Sequence, residues 1–235
     1  ASVEHLVLLK LFLQEGEFGT ASQINTANAE GNTILHVACI NDAKEVIDVL
    51  LQLPIDAQAK NSEGKTPFDM ALQYYSIQCI VTLHQKGLGG DAQQIIKCRD
   101  ADGNSLLHRA VKTCPAEYSR ALIRIGIDVN VPSDNSHEFA DGGTPLHFAA
   151  QIDNPEIVQM LLDEGADPNN NANYEGNTPL HVAAKFGNPR ALQVLLKAGA
   201  DTTLLNNEEE SVVAAAEFGA SEECMRLLQE HGVNS

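Results

Sequence analysis

The sequence has no tryptophan and only seven Phe and four Tyr in 235 residues. Cations are also scarce: 15 Lys and Arg face 32 Asp and Glu, a formal net charge of −17 with a pI near 4.7. Affinity for nucleic acid comes mainly from cations on phosphates, and adsorption to anionic lipid draws on basic clusters, so this scarcity argues against both partners. No run approaches the roughly 18 to 20 apolar residues of a membrane span. No C-x-x-C pair occurs among Cys39, Cys79, Cys98, Cys114 and Cys224. An odd count in a chain too large to need stapling reads as free thiols in a reducing compartment, with no metal or redox site. The start, Ala1-Ser2-Val3-Glu4-His5, lacks a signal-like basic and apolar stretch. The expected compartment is the cytoplasm, although export with a leader removed ahead of Ala1 fits the same start. What is present is 43% hydrophobic residue, enough for packed structure, at a length of one or two domains.

Repetition organises the chain. Gly176-Asn177-Thr178-Pro179-Leu180-His181-Val182-Ala183-Ala184 recurs as Gly142-Gly143-Thr144-Pro145-Leu146-His147-Phe148-Ala149-Ala150. It recurs again as Gly31-Asn32-Thr33-Ile34-Leu35-His36-Val37-Ala38-Cys39. Weaker copies surround Thr66 and Ser105, and a decayed one surrounds Ser211. The steps between these hydroxyl residues are 33, 39, 39, 34 and 33. Pro54, Gly87, Gly126, Gly165, Gly199 and Gly232 each follow their Thr or Ser by 21 residues. The helical part of each unit is thus constant, and insertions fall in one connection type, which is what a stacked array permits.

Each unit reads physically. Thr or Ser is an N-cap, and Pro67, Pro145 and Pro179 sit in the first helical turn. Small residues (Ala38, Ala71, Ala110, Ala149, Ala183) allow close helix approach. A second helix carries an apolar stripe, as in Ile157, Val158, Met160, Leu161 and Leu162, and a glycine ends it. One such unit cannot bury its own apolar face, so neighbours must stack.

These residues resemble the ankyrin repeat family: the T-P-L-H-x-A signature, the step near 33, and endings such as Gly165-Ala166-Asp167-Pro168-Asn169. The resemblance implies an all-α ankyrin-repeat solenoid of stacked antiparallel helix pairs with hairpin-like connecting loops. It is expected to form a single domain over 1–235, with a half repeat at 1–27. The repeats then run over about 28–60, 61–99, 100–138, 139–172, 173–205 and 206–235. The half repeat, with apolar residues from His5-Leu6 to Phe12-Leu13, points to truncation of something longer. The divergent acidic last unit suits an end cap and a natural C-terminus.

No catalytic motif is found, no catalytic residue is assigned, and no cofactor or metal is expected. His36, His108, His147 and His181 recur a full repeat apart. In ankyrin-like folds this His hydrogen-bonds within and between turns, so its role reads as structural. Asp100-Ala101-Asp102-Gly103-Asn104 has a faint likeness to a calcium loop, but twelve from Asp100 stands Val111 instead of the required Glu.

Two features exceed what the repeat demands. Two connections are about six residues long beyond the basic step, carrying Asp91 and Gln93 in one and Asp134, His137, Glu138 and Phe139 in the other. They are either neutral drift or lengthened hairpins that extend a binding rim. Near the end of each first helix stand Asn41, Tyr74, Thr113, Ile152, Phe186 and Phe218. In ankyrin-like proteins this position and the hairpin tips face the partner. Tyr74, Ile152, Phe186 and Phe218, with Tyr174 at a tip and Lys185 beside Phe186, form an apolar ladder that either binds a partner or tucks against the next repeat. One acid occupies each tip: Glu30, Glu63, Asp102, Asp141, Glu175 and Glu208.

The reading is a non-catalytic protein-binding module, acting through its concave face and tips as an inhibitor or scaffold. The partner is another protein with a basic or mixed apolar and basic surface, and the chain is expected to be monomeric. The alternative is a targeting or substrate-recruiting segment of a larger enzyme whose catalytic domain lies outside these residues.

Overall fold

The computed structural model describes residues 24–134 and 142–233, where every regular element is a helix. Contacts divide the chain into two compact units, Ala1–Ile95 and Ile96–Ser235. In the first unit α1 (Ile34–Ile40) pairs with α2 (Lys44–Leu50), and α3 (Pro67–Gln73) pairs with α4 (Ile77–Gln85). α1 lies on α3 and α2 on α4, with Leu35, Ile47, Leu50, Ile77, Ile80 and Leu83 fully buried. A short α5 (Ala92–Lys97) spans the division.

The second unit holds four pairs: α6 (Leu106–Thr113) with α7 (Ala116–Ile125), α8 (Pro145–Gln151) with α9 (Pro155–Asp163), α10 (Pro179–Lys185) with α11 (Pro189–Lys197), and α12 (Val212–Phe218) with α13 (Glu222–Glu230). First helices pack on first helices and second on second, so two helical layers enclose one apolar core. The expected small residues line it: Ala110, Ala149 and Ala183 are completely buried. The stripe at Ile157, Val158, Met160 and Leu161 is buried as well, while Leu162 is only partly covered.

The connections are hairpin-like, with isolated antiparallel bridges joining Ala27 to Thr33, Arg99 to Ser105 and Leu205 to Ser211. Each of the six hydroxyl residues is an N-cap, and three of the first helices begin on proline. Predicted helix-ending glycines 87, 126, 165, 199 and 232 all take positive φ.

The turn between the two helices of a pair has a chemistry of its own. Nine residues after the N-cap, Asp42, Tyr75, Asp153, Gly187 and Ala220 all adopt left-handed backbone, with φ between 48° and 65°. At the equivalent Cys114 the backbone is extended (φ −122°, ψ 156°), because Pro115 disfavours a helical residue before it. The aspartates have a second use. Asp42 Oδ1 accepts from the Cys79 backbone N–H at 3.0 Å, and Asp153 Oδ1 from that of Ala191 at 2.8 Å, each capping the second helix of the following pair. Ala220 is exposed and bears the left-handed strain with no such return. Ala220→Gly should therefore raise stability by about 0.5–1 kcal/mol, read as a higher urea midpoint. An unchanged midpoint would mean that this turn is unstrained.

Candidate functional site

The repeated histidines are built into the frame. The backbone N–H of Thr144 donates to His147 Nδ1 at 3.0 Å, so the neutral ring carries its proton on Nε2, which donates to the Asn177 carbonyl at 2.8 Å. His36, His108 and His181 repeat the pattern, reaching the carbonyls of Lys65, Gly143 and Glu210. Where Asp69 replaces the histidine, its carboxylate accepts from the Thr66 N–H and hydroxyl and makes the local half of the pattern. Burial holds His108 and His147 at pKa values of about 4, and it lowers His181 as well. These rings are therefore neutral girders at pH 7. Nor is a thiol poised as a nucleophile at Cys79: hydrogen bonding with Cys39, burial and the charge of Asp42 push its pKa far up. None of the five cysteines is in a disulfide, and no group of His, Cys, Asp and Glu among the described residues is arranged to hold a metal.

A second column lies five residues before five of the six N-caps, Thr33, Thr66, Ser105, Thr178 and Ser211. Asn28, Asn61, Asp100 and Asn206 each use one side-chain oxygen to accept two backbone N–H groups of the tip, and Asn173 accepts one. Asp100 thus has a turn-forming role, which accounts for the faint calcium-loop look. Neighbouring tips are also tied: Asn61 Nδ2 donates to Asn32 Oδ1, and Asn206 Nδ2 to Asn177 Oδ1, each at 3.0 Å.

On this frame the described tip acids Glu30, Glu63, Asp102, Glu175 and Glu208 are all exposed. Two of them already have a cation. Lys65 pairs with Glu63 at 2.6 Å, and Lys185 with Glu175 at 2.8 Å. Among the described residues, Asp102 and Glu208 make no ion pair. Asp141, with His137, Glu138 and Phe139 of the second long connection, lies outside the described residues, as does the half repeat up to residue 23. Asp134 faces Arg99 across 3.8 Å. The first long connection is a helix start: Asp91 accepts from the Gln93 N–H, α5 follows, and Ile95 is fully buried.

The apolar ladder is exposed. Tyr74 is 48% exposed, Ile152 40%, Phe186 37% and Tyr174 59%. Tyr74, Ile152 and Phe186 are all C-caps of their first helices. Phe218, 78% exposed, corrects the expected register: it is the last residue of α12, one position early, and Gly219 takes the cap. Phe218 therefore corresponds to Lys185, whose amine lies 5.8 Å from its ring centre. Asn41 and Thr113 are the polar members, each bonded to its own helix through the carbonyls of Val37 and Arg109.

A profile described as ankyrin repeats (three copies) matches residues 1–94 and 131–206. Rabankyrin-5 of Mus musculus is 32% identical over 154 residues, covering 65% of this chain and 12% of that protein. The chain thus spans only a small part of such relatives. Among solved structures, the ankyrin repeat domain of Bcl-3, a member of the IkappaB protein family, has a TM-score of 0.61 at 26% identity, covering 95% of this chain and 91% of that one. For the ankyrin repeat domain of human ASB11 the TM-score is 0.60 at 24% identity, with 97% and 93% covered.

Proposed function

The chain belongs to the ankyrin repeat family, whose repeats are protein–protein interaction modules, and from that premise we propose that it binds a partner protein without catalysis. The observation that carries this reading is the ladder. Tyr74, Ile152 and Phe186 stand exposed at one helical position while Met70, Phe148 and Val182, one turn earlier in the same helices, are buried. Aromatic anchors of this kind supply much of the energy of protein interfaces. In this reading the first-helix side and the tips form the contact, and the partner is basic or mixed apolar and basic. Asp102 and Glu208 supply charge that no cation among the described residues pairs with, so association is faster at low salt. The module acts as a monomer, either covering a partner's active site or joining two proteins as a scaffold. Free thiols fit a reducing cytoplasm. No helix among the described residues is long and apolar enough to cross a membrane.

The test uses a partner captured on the full chain and then purified. Ile152→Ala, Glu175→Ala and Phe186→Ala combined, all in the second unit, should weaken binding at least about 30-fold, measured by calorimetry, since two apolar anchors are removed. An affinity within twofold of wild type would move the contact to another face. The 12% coverage of Rabankyrin-5 fits a segment of a longer protein, which the second reading, a recruiting segment of a larger enzyme, requires. Intact mass of the native gene product separates the two: a product much longer than 235 residues supports the second.

A further inference from the structure

Lys112 stands apart from the other cations of the first-helix layer in the second unit. Arg109 is paired with Asp100 at 3.2 Å and Lys185 with Glu175 at 2.8 Å. Among the described residues Lys112 has no ion pair, although the chain carries 32 acids. Its position is nonetheless fixed. The amine lies 4.4 Å from the ring centre of Phe148. That ring is 5% exposed and is braced from another side by His108, edge-on at 4.8 Å. A cation over an aromatic face is held electrostatically while its remaining N–H groups stay available.

The location of this amine matters. Phe148 and Ile152 are four residues apart on the C-terminal turns of α8, and so share a face. A partner that covers Ile152 and Phe186 reaches the exposed Lys112 too. Covering an ammonium without a counter-charge is costly, whereas a carboxylate placed against it forms a charge-assisted hydrogen bond. Among the described residues no acid supplies that carboxylate, although the chain as a whole carries a net charge of −17.

We infer that Lys112 is a docking point for a carboxylate of the partner, whose contact segment sets an Asp or Glu among apolar residues that cover Ile152 and Phe186. This rests on the proposed binding face and alters the partner's expected chemistry: basic where it meets the tips, acidic at this one point. A partner that is basic throughout would set like charge against Lys112.

The probe is a phage-displayed library of random 16-residue peptides, panned on the full chain and on three variants. Wild type should enrich peptides with an acid inside an apolar stretch, and Lys112→Arg should select the same class. Lys112→Glu should lose it and weaken the best acidic peptide at least tenfold. Selection of uniformly basic peptides by wild type, or a change below twofold in Lys112→Glu, would overturn the inference. Phe186→Asp keeps the two claims separate. If the wild-type peptides bind it undiminished, the face itself is wrong; if they bind only faces with Phe186 yet carry no acid, the face stands and the carboxylate contact falls.

Discussion

Between pH 7 and pH 5 the second unit is expected to lose about 4 kcal/mol of stability through two histidines alone. In the unfolded chain His108 and His147 protonate near the ordinary value of 6.5, but in the folded chain they wait until about 4. The unfolded state therefore binds protons first, and stability falls as pH drops through that window. Each ring contributes about 2 kcal/mol of loss by pH 5 and about 3 by pH 4. Burial is the main cause for both. The carbonyls of Gly143 and Asn177, with Asp100 and Asp167, favour the charged rings but recover only part of the penalty, while Arg99 and Lys112 oppose the charge at His108. The bonding explains why no easy rearrangement is available: a proton on Nδ1 of His147 would meet the backbone N–H of Thr144, which cannot turn round to accept. Urea titrations at pH 7, 6 and 5, followed by far-ultraviolet dichroism because there is no tryptophan, measure the slope. The His108→Gln and His147→Gln double variant should start less stable and lose its extra pH slope. An unchanged slope would show that other groups control acid unfolding.

The second large effect is expected at Gly219. Its φ of −69° is ordinary, so backbone freedom is not its role. A Cβ there would lie 2.5 Å from the Ala184 carbonyl oxygen and 2.7 Å from that of Lys185, both fixed backbone at the end of α10. Gly219→Ala must push α12 away from α10, and overpacking of this kind costs about 3 kcal/mol. Gly165→Ala is the contrast. Its φ of 91° is strained for alanine, yet a Cβ would meet nothing within 4 Å, so about 1 kcal/mol is expected. Equal losses in urea would refute the close-approach argument.

The helices and their caps were legible in the sequence because they depend on neighbours. Thr144, Pro145 and His147 act within one turn, and Gly165 acts at one helix end. The column at Asn28, Asn61, Asp100, Asn173 and Asn206 had a signal too, its constant offset from the N-cap, but it lies outside the motif that attracts attention. Less legible were bonds between residues 29 to 38 apart, such as Asn206 to Asn177 and Asp153 to Ala191, since the partner emerges only once the pairs are stacked. The one-residue displacement of Phe218 had a physical cause hidden in the same way: only glycine fits where α12 meets the end of α10. For the tip acids, sequence gave position and exposure, while the lysines that pair with Glu63 and Glu175 follow from side-chain reach.

Asp42 and Asp153 carry a further implication for how such a chain can be lengthened or shortened. Each aspartate serves a helix that belongs to the next pair, and each buried histidine holds the tip that follows it. A repeat cut out at its tips would take away the cap of its successor and leave its predecessor's imidazole facing a foreign loop. Gene duplication, or a deliberate graft, preserves these bonds only when donor and recipient agree at both offsets. Repeats of one chain are therefore interchangeable by pairs of matching ends, and the true module is the joint between two copies.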